Sequence, residues 1–322
     1  MQTTQELPTS EHFVLHLLAE GAYAAIAIAG GAAFSNAGIV DLGSRTLIFD
    51  TFENPKAAID LRAAAEQLTG RPASYVIISH AHPDHWMGNQ VFADHTSMIT
   101  THDIREQMLP FVKEIQALKA DPSDLVNAIR ENRERLEAET DERKRASLRV
   151  SIARSQHDLD ALPSLELRFP DQTFEGKLVL HGTRRTAELI TRGKGHTASD
   201  CYLVLPADKV AFIGDLGFFA SQPFMVYCDP QAWIAQLDGM EGWDVETFVP
   251  GHGRLGTKTD LALQRQYIQV LDEWVTRVIK AGGAVEDALQ QTLPAPFDAW
   301  LTGGMNRFEA NVRSAYKRLS GQ

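Results

Sequence analysis

Apolar positions in the first fifty residues fall into short runs broken by glycine at Gly21, Gly30, Gly31, Gly38 and Gly43. Runs that short predict successive antiparallel strands between Phe13 and Phe52, the last being Thr46-Leu47-Ile48-Phe49-Asp50, with 22–34 read as two strands and their turn. The period then changes. Ala58, Leu61, Ala65 and Leu68 recur at three- and four-residue steps, which predicts a helix over 57–68 stopped by Gly70. Tyr75-Val76-Ile77-Ile78, after Arg71-Pro72, reads as a buried strand. A second β-rich pass starts near Phe174, with strands expected at 177–181, 187–191, 202–205 and 210–213.

Between these halves, residues 102–163 switch to helical spacing. Ile104, Met108, Phe111, Ile115 and Leu118 make one stripe, and Asp121-Pro122 resembles an N-cap followed by proline at the first helical position. Leu125, Ile129 and Leu136 continue the pattern, and Leu148, Ile152, Leu159 and Leu162 close it. The mixed Glu and Arg of 130–145 read as a solvated face with ion pairs worth ~0.2–0.5 kcal/mol each. The stripes need an apolar partner, and the favoured one is the protein's own body; a lid over the site and a homodimer contact are the alternatives. After residue 256, Leu263, Tyr267, Val270, Trp274 and Val278 mark another helix, and a final amphipathic helix is expected between Asn306 and Leu319. The organisation expected is one domain over 1–322, with a helical insertion at 102–163 and a C-terminal helical extension at 256–322.

Composition narrows the partners. With 44% hydrophobic and 23% charged residues, the 322-residue chain has the make-up of an ordinary globular protein. A net charge of −11 repels polyanions, so a small-molecule substrate is expected rather than nucleic acid. The apolar stretch 22–34 is glycine-rich, too short to span a bilayer and preceded by no Lys or Arg, so neither a membrane segment nor a signal peptide is evident. A cytoplasmic location is the expectation, with secretion of an already processed chain left open. Cys201 and Cys228 are too few for a disulfide framework; Cys201 reads as a small buried hydrophobe, and Cys228 as a partly buried thiol that could also line the site.

The chemistry is concentrated in Ser79-His80-Ala81-His82-Pro83-Asp84-His85, which packs three imidazoles and a carboxylate just past the strand at 75–78. In a locally extended loop His80 and His82 point the same way, while Asp84 and His85 follow Pro83 around a bend and can face a second ion. Three further candidates flanked by or following glycine lie downstream: His196, Asp215 and His252. Imidazole nitrogens and carboxylate oxygens suit zinc first, with iron or manganese also compatible. Each downstream residue alone is a weak signal, since a single Asp after Gly is more often a turn or cap. Seven such residues together are hard to explain otherwise. His12, His16, His95, His102, His157 and His181 lack such company and read as surface or core residues.

The ordered pattern resembles the metallo-β-lactamase superfamily, whose His-x-His-x-Asp-His motif is met by His80, His82, Asp84 and His85, followed by His196, Asp215 and His252. The resemblance spans roughly residues 12 to 255. It implies an α/β fold, a four-layer αβ/βα sandwich, and a dinuclear site of two divalent ions. By resemblance His80, His82 and His196 take the first metal, Asp84, His85 and His252 the second, and Asp215 bridges them.

Such a metal pair lowers the pKa of the water between the ions towards about 7 and polarises the substrate. The resemblance thus implies a zinc-dependent hydrolase in which a bridging hydroxide attacks an ester, lactone, thioester or related acyl substrate, with Asp84 orienting it or passing its proton onward. Family members that hydrolyse β-lactams generally lack the bridging aspartate, which points away from that task. A phosphodiesterase or phosphotriesterase, a promiscuous β-lactamase and an iron-dependent sulfur dioxygenase are the alternatives on the same fold. Asp50 and Thr197 are candidates to orient ligands through hydrogen bonds. The aromatic run Leu216-Gly217-Phe218-Phe219-Ala220, with Phe224, Met225 and Tyr227, reads equally as pocket wall or core.

Overall fold

Strands β1 (Phe13–Ala19), β2 (Ala22–Ala27), β3 (Ala37–Asp41) and β4 (Thr46–Phe49) pair antiparallel in chain order, because their glycine-marked connections are too short for crossovers. Once helix α1 (Pro55–Thr69) intervenes, the sheet continues in parallel through β5 (Ala73–Ile77), β6 (Ser97–Thr101) and β7 (Gln172–Phe174), making seven strands. The second sheet has five strands: β8 (Lys177–His181), β9 (Thr186–Thr191), β10 (Cys201–Leu205) and β11 (Val210–Phe219) are antiparallel, and β12 (Thr247–Gly253) runs parallel to β11. These observations come from a computed structural model that describes residues 6–302 and 306–321.

The two sheets face each other across one core. Cys201, Leu203 and Leu205 of β10 point into it with Ile39, Ile48 and Val76, and the Phe49 and Phe212 rings meet between the sheets at 5.7 Å. The alternate residues Tyr202, Val204, Ala211 and Ile213 face outward, against α5 (Pro230–Glu241), α6 (Lys258–Lys280) and α8 (Arg307–Ser320). Ala57, Leu61, Ala64 and Ala65 of α1 join the first sheet's core. Strands β4, β10 and β11 are buried along their whole length, as covered strands must be. The layering is therefore helix, sheet, sheet, helix.

Several elements differ in detail from the sequence expectation. The stretch 22–34 holds one strand, β2, and then a loop that carries Phe34 towards the site. The insertion forms α2 (His102–Ala120), α3 (Ser123–Ala138) and α4 (Glu142–Ala161), but the cap between the first two is shifted by one residue. Pro122 holds the N-cap position, and Asp121 closes α2 while its carboxylate accepts from Ser123 N at 3.0 Å. In α6, Leu263 and Val270 are only half-buried, and the buried face turns to include Leu261, Gln264, Ile268, Leu271 and Val275. Strand β11 does not stop at Ile213 but runs on through Asp215 to Phe219.

That extension bears on the site. The β11–β12 register shifts between Phe212 and Gly214 and again between Gly214 and Phe218, so the strand leaves the regular ladder where it carries Asp215. Buried backbone groups there need other partners. Gln264 of α6 supplies them, its Oε1 accepting from Phe218 N at 2.7 Å and its Nε2 donating to Leu216 O at 2.8 Å. No helix among the described residues is long and apolar enough to cross a membrane.

Gln264→Leu keeps the side chain's volume and removes both bonds, leaving the Phe218 N–H buried without a partner. Urea unfolding should show a loss of about 1–3 kcal/mol, the cost of one orphaned buried donor. A loss near zero would mean that the bulged strand does not depend on α6.

Candidate metal centre

The carboxyl end of β5 delivers the loop 79–85 to one edge of the interface between the sheets, with His196 on the β9–β10 connection and Asp215 and His252 inside β11 and β12. All seven sequence candidates meet there, in two groups. In the first, His82 Nδ1 lies 3.1 Å from His80 Nε2 and 3.0 Å from His196 Nε2, while Asp215 Oδ2 stands 3.6 Å from His80 Nε2 and 3.2 Å from His196 Nε2. In the second, Asp84 Oδ2 is 3.1 Å from His252 Nε2 and 3.5 Å from His85 Nε2, and Asp215 Oδ1 is 3.1 Å from His85 Nε2 and 3.5 Å from His252 Nε2. Asp215 therefore turns one oxygen to each group.

These separations test whether metal fits. Nitrogen and oxygen ligands about 2.0–2.2 Å from a shared ion stand roughly 3.3–3.6 Å apart at the tetrahedral angle, close to what both groups show. Directed hydrogen bonds do not account for them equally well. His85 Nε2 and Asp215 Oδ1 are 3.1 Å apart, yet neither has a hydrogen-bond partner, as expected if both aim at a common third point. The residues present fit two ions.

Hydrogen bonds behind the ligands fix which ring atoms face inward. Asp50 is buried in the left-handed region at φ 58° and accepts from Ser79 N at 2.8 Å and Ser79 Oγ at 2.7 Å. Its Oδ2 also lies 2.7 Å from His85 Nδ1, so the His85 proton sits there and Nε2 is left for metal. Ser79 Oγ, its hydrogen given to Asp50, stands 3.0 Å from His80 Nδ1 and holds that ring in the same tautomer. The expected role of Asp50 is thus present, and that of Thr197 is not. Thr197 Oγ1 stays within its own turn, 2.7 Å from Ser199 O and 2.8 Å from Asp200 Oδ1, either of which can accept its one hydrogen, because the two-residue spacing closes a local ring more easily than it reaches His196.

Glycines allow the close approach. A Cβ on Gly251 would fall 1.9 Å from Asp215 Oδ1, and Gly214, at φ +50°, brings β11 against Ser79. Electrostatics divide the imidazoles: burial lowers His80 and His82, whereas the facing carboxylates, Asp215 foremost, raise His85 and His252 against their burial. Burial holds the His80 imidazole well below its usual range and takes His82 to about 3, so both rings are neutral. Burial opposes ionisation of Asp215, but the facing imidazoles, those of His252 and His85 foremost, outweigh it and keep the carboxylate ionised.

The surroundings of the site have two unlike sides. Around His82 lie the rings of Tyr227 at 5.6 Å and of Phe111 and Phe224 at 6.1 Å each. Beside His252 lie Phe34 at 5.1 Å and Phe218 at 5.0 Å, with the Arg154 guanidinium over Phe34 and the Arg307 guanidinium over Phe218. The aromatic run after Asp215 thus divides: Phe218 and Phe219 are core behind the ligands, whereas Phe224 and Tyr227 stand at the site. Sequence reasoning did not single out Ser79, Phe34, Arg154 or Arg307; only Ser79, adjoining the motif, carried a local signal. Cys228 donates to Met225 O at 3.2 Å, and Cys201 is buried as expected. The six remaining histidines stand outside both groups.

Two buried ligand groups sharing one carboxylate at the meeting edge of two sheets are the arrangement of a dinuclear metalloprotein. Residues 30–252 match the sequence profile of the Metallo-beta-lactamase superfamily, and the chain belongs to that family. Among solved structures, a metallo-beta-lactamase from Pontibacter korlensis is 15% identical with a TM-score of 0.55, covering 80% of this chain and 99% of its own. The metallo-beta-lactamase FIM-1 from Pseudomonas aeruginosa, in its mono-zinc form, is 14% identical with a TM-score of 0.54, covering 81% of this chain and 97% of its own. At those identities the likeness shows the fold. No curated protein matches the chain in sequence.

Asp215→Ala removes an oxygen from each group, and elemental analysis should show loss of both ions rather than one; two retained ions would exclude a bridging role. Asp50→Asn keeps the shape but weakens the hold on His85, and competition with a chelator should show metal affinity reduced roughly 10- to 100-fold. An unchanged affinity would make the Asp50–His85 contact irrelevant to binding.

Proposed function

We propose that the chain is a zinc-dependent hydrolase of small acyl compounds: esters, lactones or thioesters. The observation that carries this reading is Asp215 presenting one oxygen to each ligand group, the feature expected of the acyl- and phosphoester-cleaving branches of the family. The aromatic rings around His82 favour an apolar acyl substrate over a polyphosphate. Bound there, two divalent ions would supply Lewis acidity and a water-derived nucleophile at neutral pH.

His80, His82 and His196 would hold one ion and Asp84, His85 and His252 the other, with Asp215 shared. Asp84 is also the residue proposed to take up and release the proton. Its side chain is 12% exposed against 3% for Asp215 and 1% for Asp50, so of these carboxylates it is the one substrate can reach. Phe111 comes from α2 and Arg154 from α4, so the insertion helps to shape the surroundings of the site. That placement supports a lid-like role for the insertion, alongside its packing on the body through the Asn54 bond to His157 O at 2.9 Å.

The test is a panel of chromogenic esters, lactones, thioesters, phosphodiesters and a cephalosporin, run on protein of measured metal content. Acyl substrates should turn over, a chelator should abolish turnover, and zinc should restore it. A fully loaded protein that cleaves only phosphodiesters, or that consumes oxygen with iron bound, would overturn the reading.

A further inference from the structure

Arg307 opens α8, in the C-terminal extension beyond the family-matched residues, and only 2% of it is exposed. Buried guanidinium groups ordinarily meet a carboxylate, because an uncompensated buried cation is costly. The neighbouring Arg154 does so, its Nε donating to Glu53 Oε2 at 2.8 Å and its Nη2 to Glu53 Oε1 at 2.5 Å. Arg307 does not. Its hydrogen bonds both leave Nη1, for the neutral acceptors Ser221 Oγ at 3.1 Å and Gln222 O at 2.8 Å, and its Nε has no partner.

Its position explains where the missing anion belongs. The guanidinium lies 5.2 Å from the Phe218 ring and 6.0 Å from the Phe34 ring, the two rings that also contact His252. The carboxylates whose charge it feels are Asp215 and Asp84. Both belong to the ligand groups, so once two dications are held their charge is spoken for. The His252 side of the site then carries an excess of positive charge, while the His82 side is aromatic.

The geometry points to Arg307 as a specificity-determining residue that receives a carboxylate on the substrate, with the scissile acyl group over the metal centre and an apolar part against Phe111, Phe224 and Tyr227. One unmatched guanidinium calls for a monoanion, and its flat fork matches the two oxygens of a carboxylate. This inference rests on the hydrolase reading for the scissile group, but not for the anion.

The experiment uses zinc-loaded protein and a matched pair of esters, 4-acetoxybenzoate and its methyl ester, which differ only in the negative charge. The wild type should favour the anion in kcat/KM, and Arg307→Gln should collapse that preference by roughly 10- to 100-fold, chiefly through KM, with Arg307→Lys restoring part of it. If Arg307→Gln lowers both esters by the same factor, Arg307 only pins the loop at Ser221 and Gln222, and the proposal fails. If the variant does not fold, the wild type decides, because no preference for the anion overturns the proposal outright. Calorimetry with 4-acetamidobenzoate and its methyl ester separates the two readings. Tighter binding of the anion that Arg307→Gln abolishes, in a protein that cleaves neither ester, would sink the hydrolase reading alone; cleavage of both without charge preference would sink the carboxylate subsite alone.

Discussion

The structure depends on keeping one carboxylate ionised in a buried place. Asp215 lies inside a fully buried strand, where a charge is tolerable only if it is compensated on every side. His80 and His196 stand beside one of its oxygens, and His85 and His252 beside the other. Much of the surrounding backbone is shaped to let that happen. The register of β11 breaks around Asp215, Gly251 leaves room for its oxygen, and Gln264 satisfies the backbone groups released by the bulge.

Because the ligands come from two sheets, the sheets must also be locked where they meet. Ser79 O accepts from Cys201 N at 2.8 Å, joining the metal loop to the second sheet. Asn36 does the reverse from the β2–β3 connection: its backbone N donates to Gly251 O at 2.7 Å and its side chain to Pro250 O at 2.9 Å and Gly253 O at 3.0 Å. Those bonds bracket His252. A general hydrophobic core could not set such a register, since burial is non-directional; these few polar contacts can.

The elements outside the sandwich serve the site from its rim. The insertion contributes Phe111 and Arg154, and the C-terminal extension contributes Arg307 and the segment around Leu301, which exchanges backbone hydrogen bonds with Ala220 and Gln222 at 3.0 and 2.8 Å. Both additions meet directly, Ser147 Oγ lying 3.3 Å from Thr302 Oγ1. The candidate ligands thus come from the two sheets and their loops, and part of their surroundings from the helices added around them.

The seven ligand candidates were legible in the sequence because metal demands chemically rare residue types, and four of them crowd into six consecutive positions. The alternation of strands, α1, the helical insertion and the last helix were legible too, since periodicity records which face is buried. What the sequence could not show was any pairing across the chain. Nothing local marks Gln264 as the partner of a bulge, Thr197 as turned inward on its own loop, or Arg307 as a neighbour of His252 from a helix 55 positions later. A ligand type is a property of one residue, and the sequence determines it. The field and shape a substrate meets are sums over residues from distant segments, and only the tertiary structure brings those together.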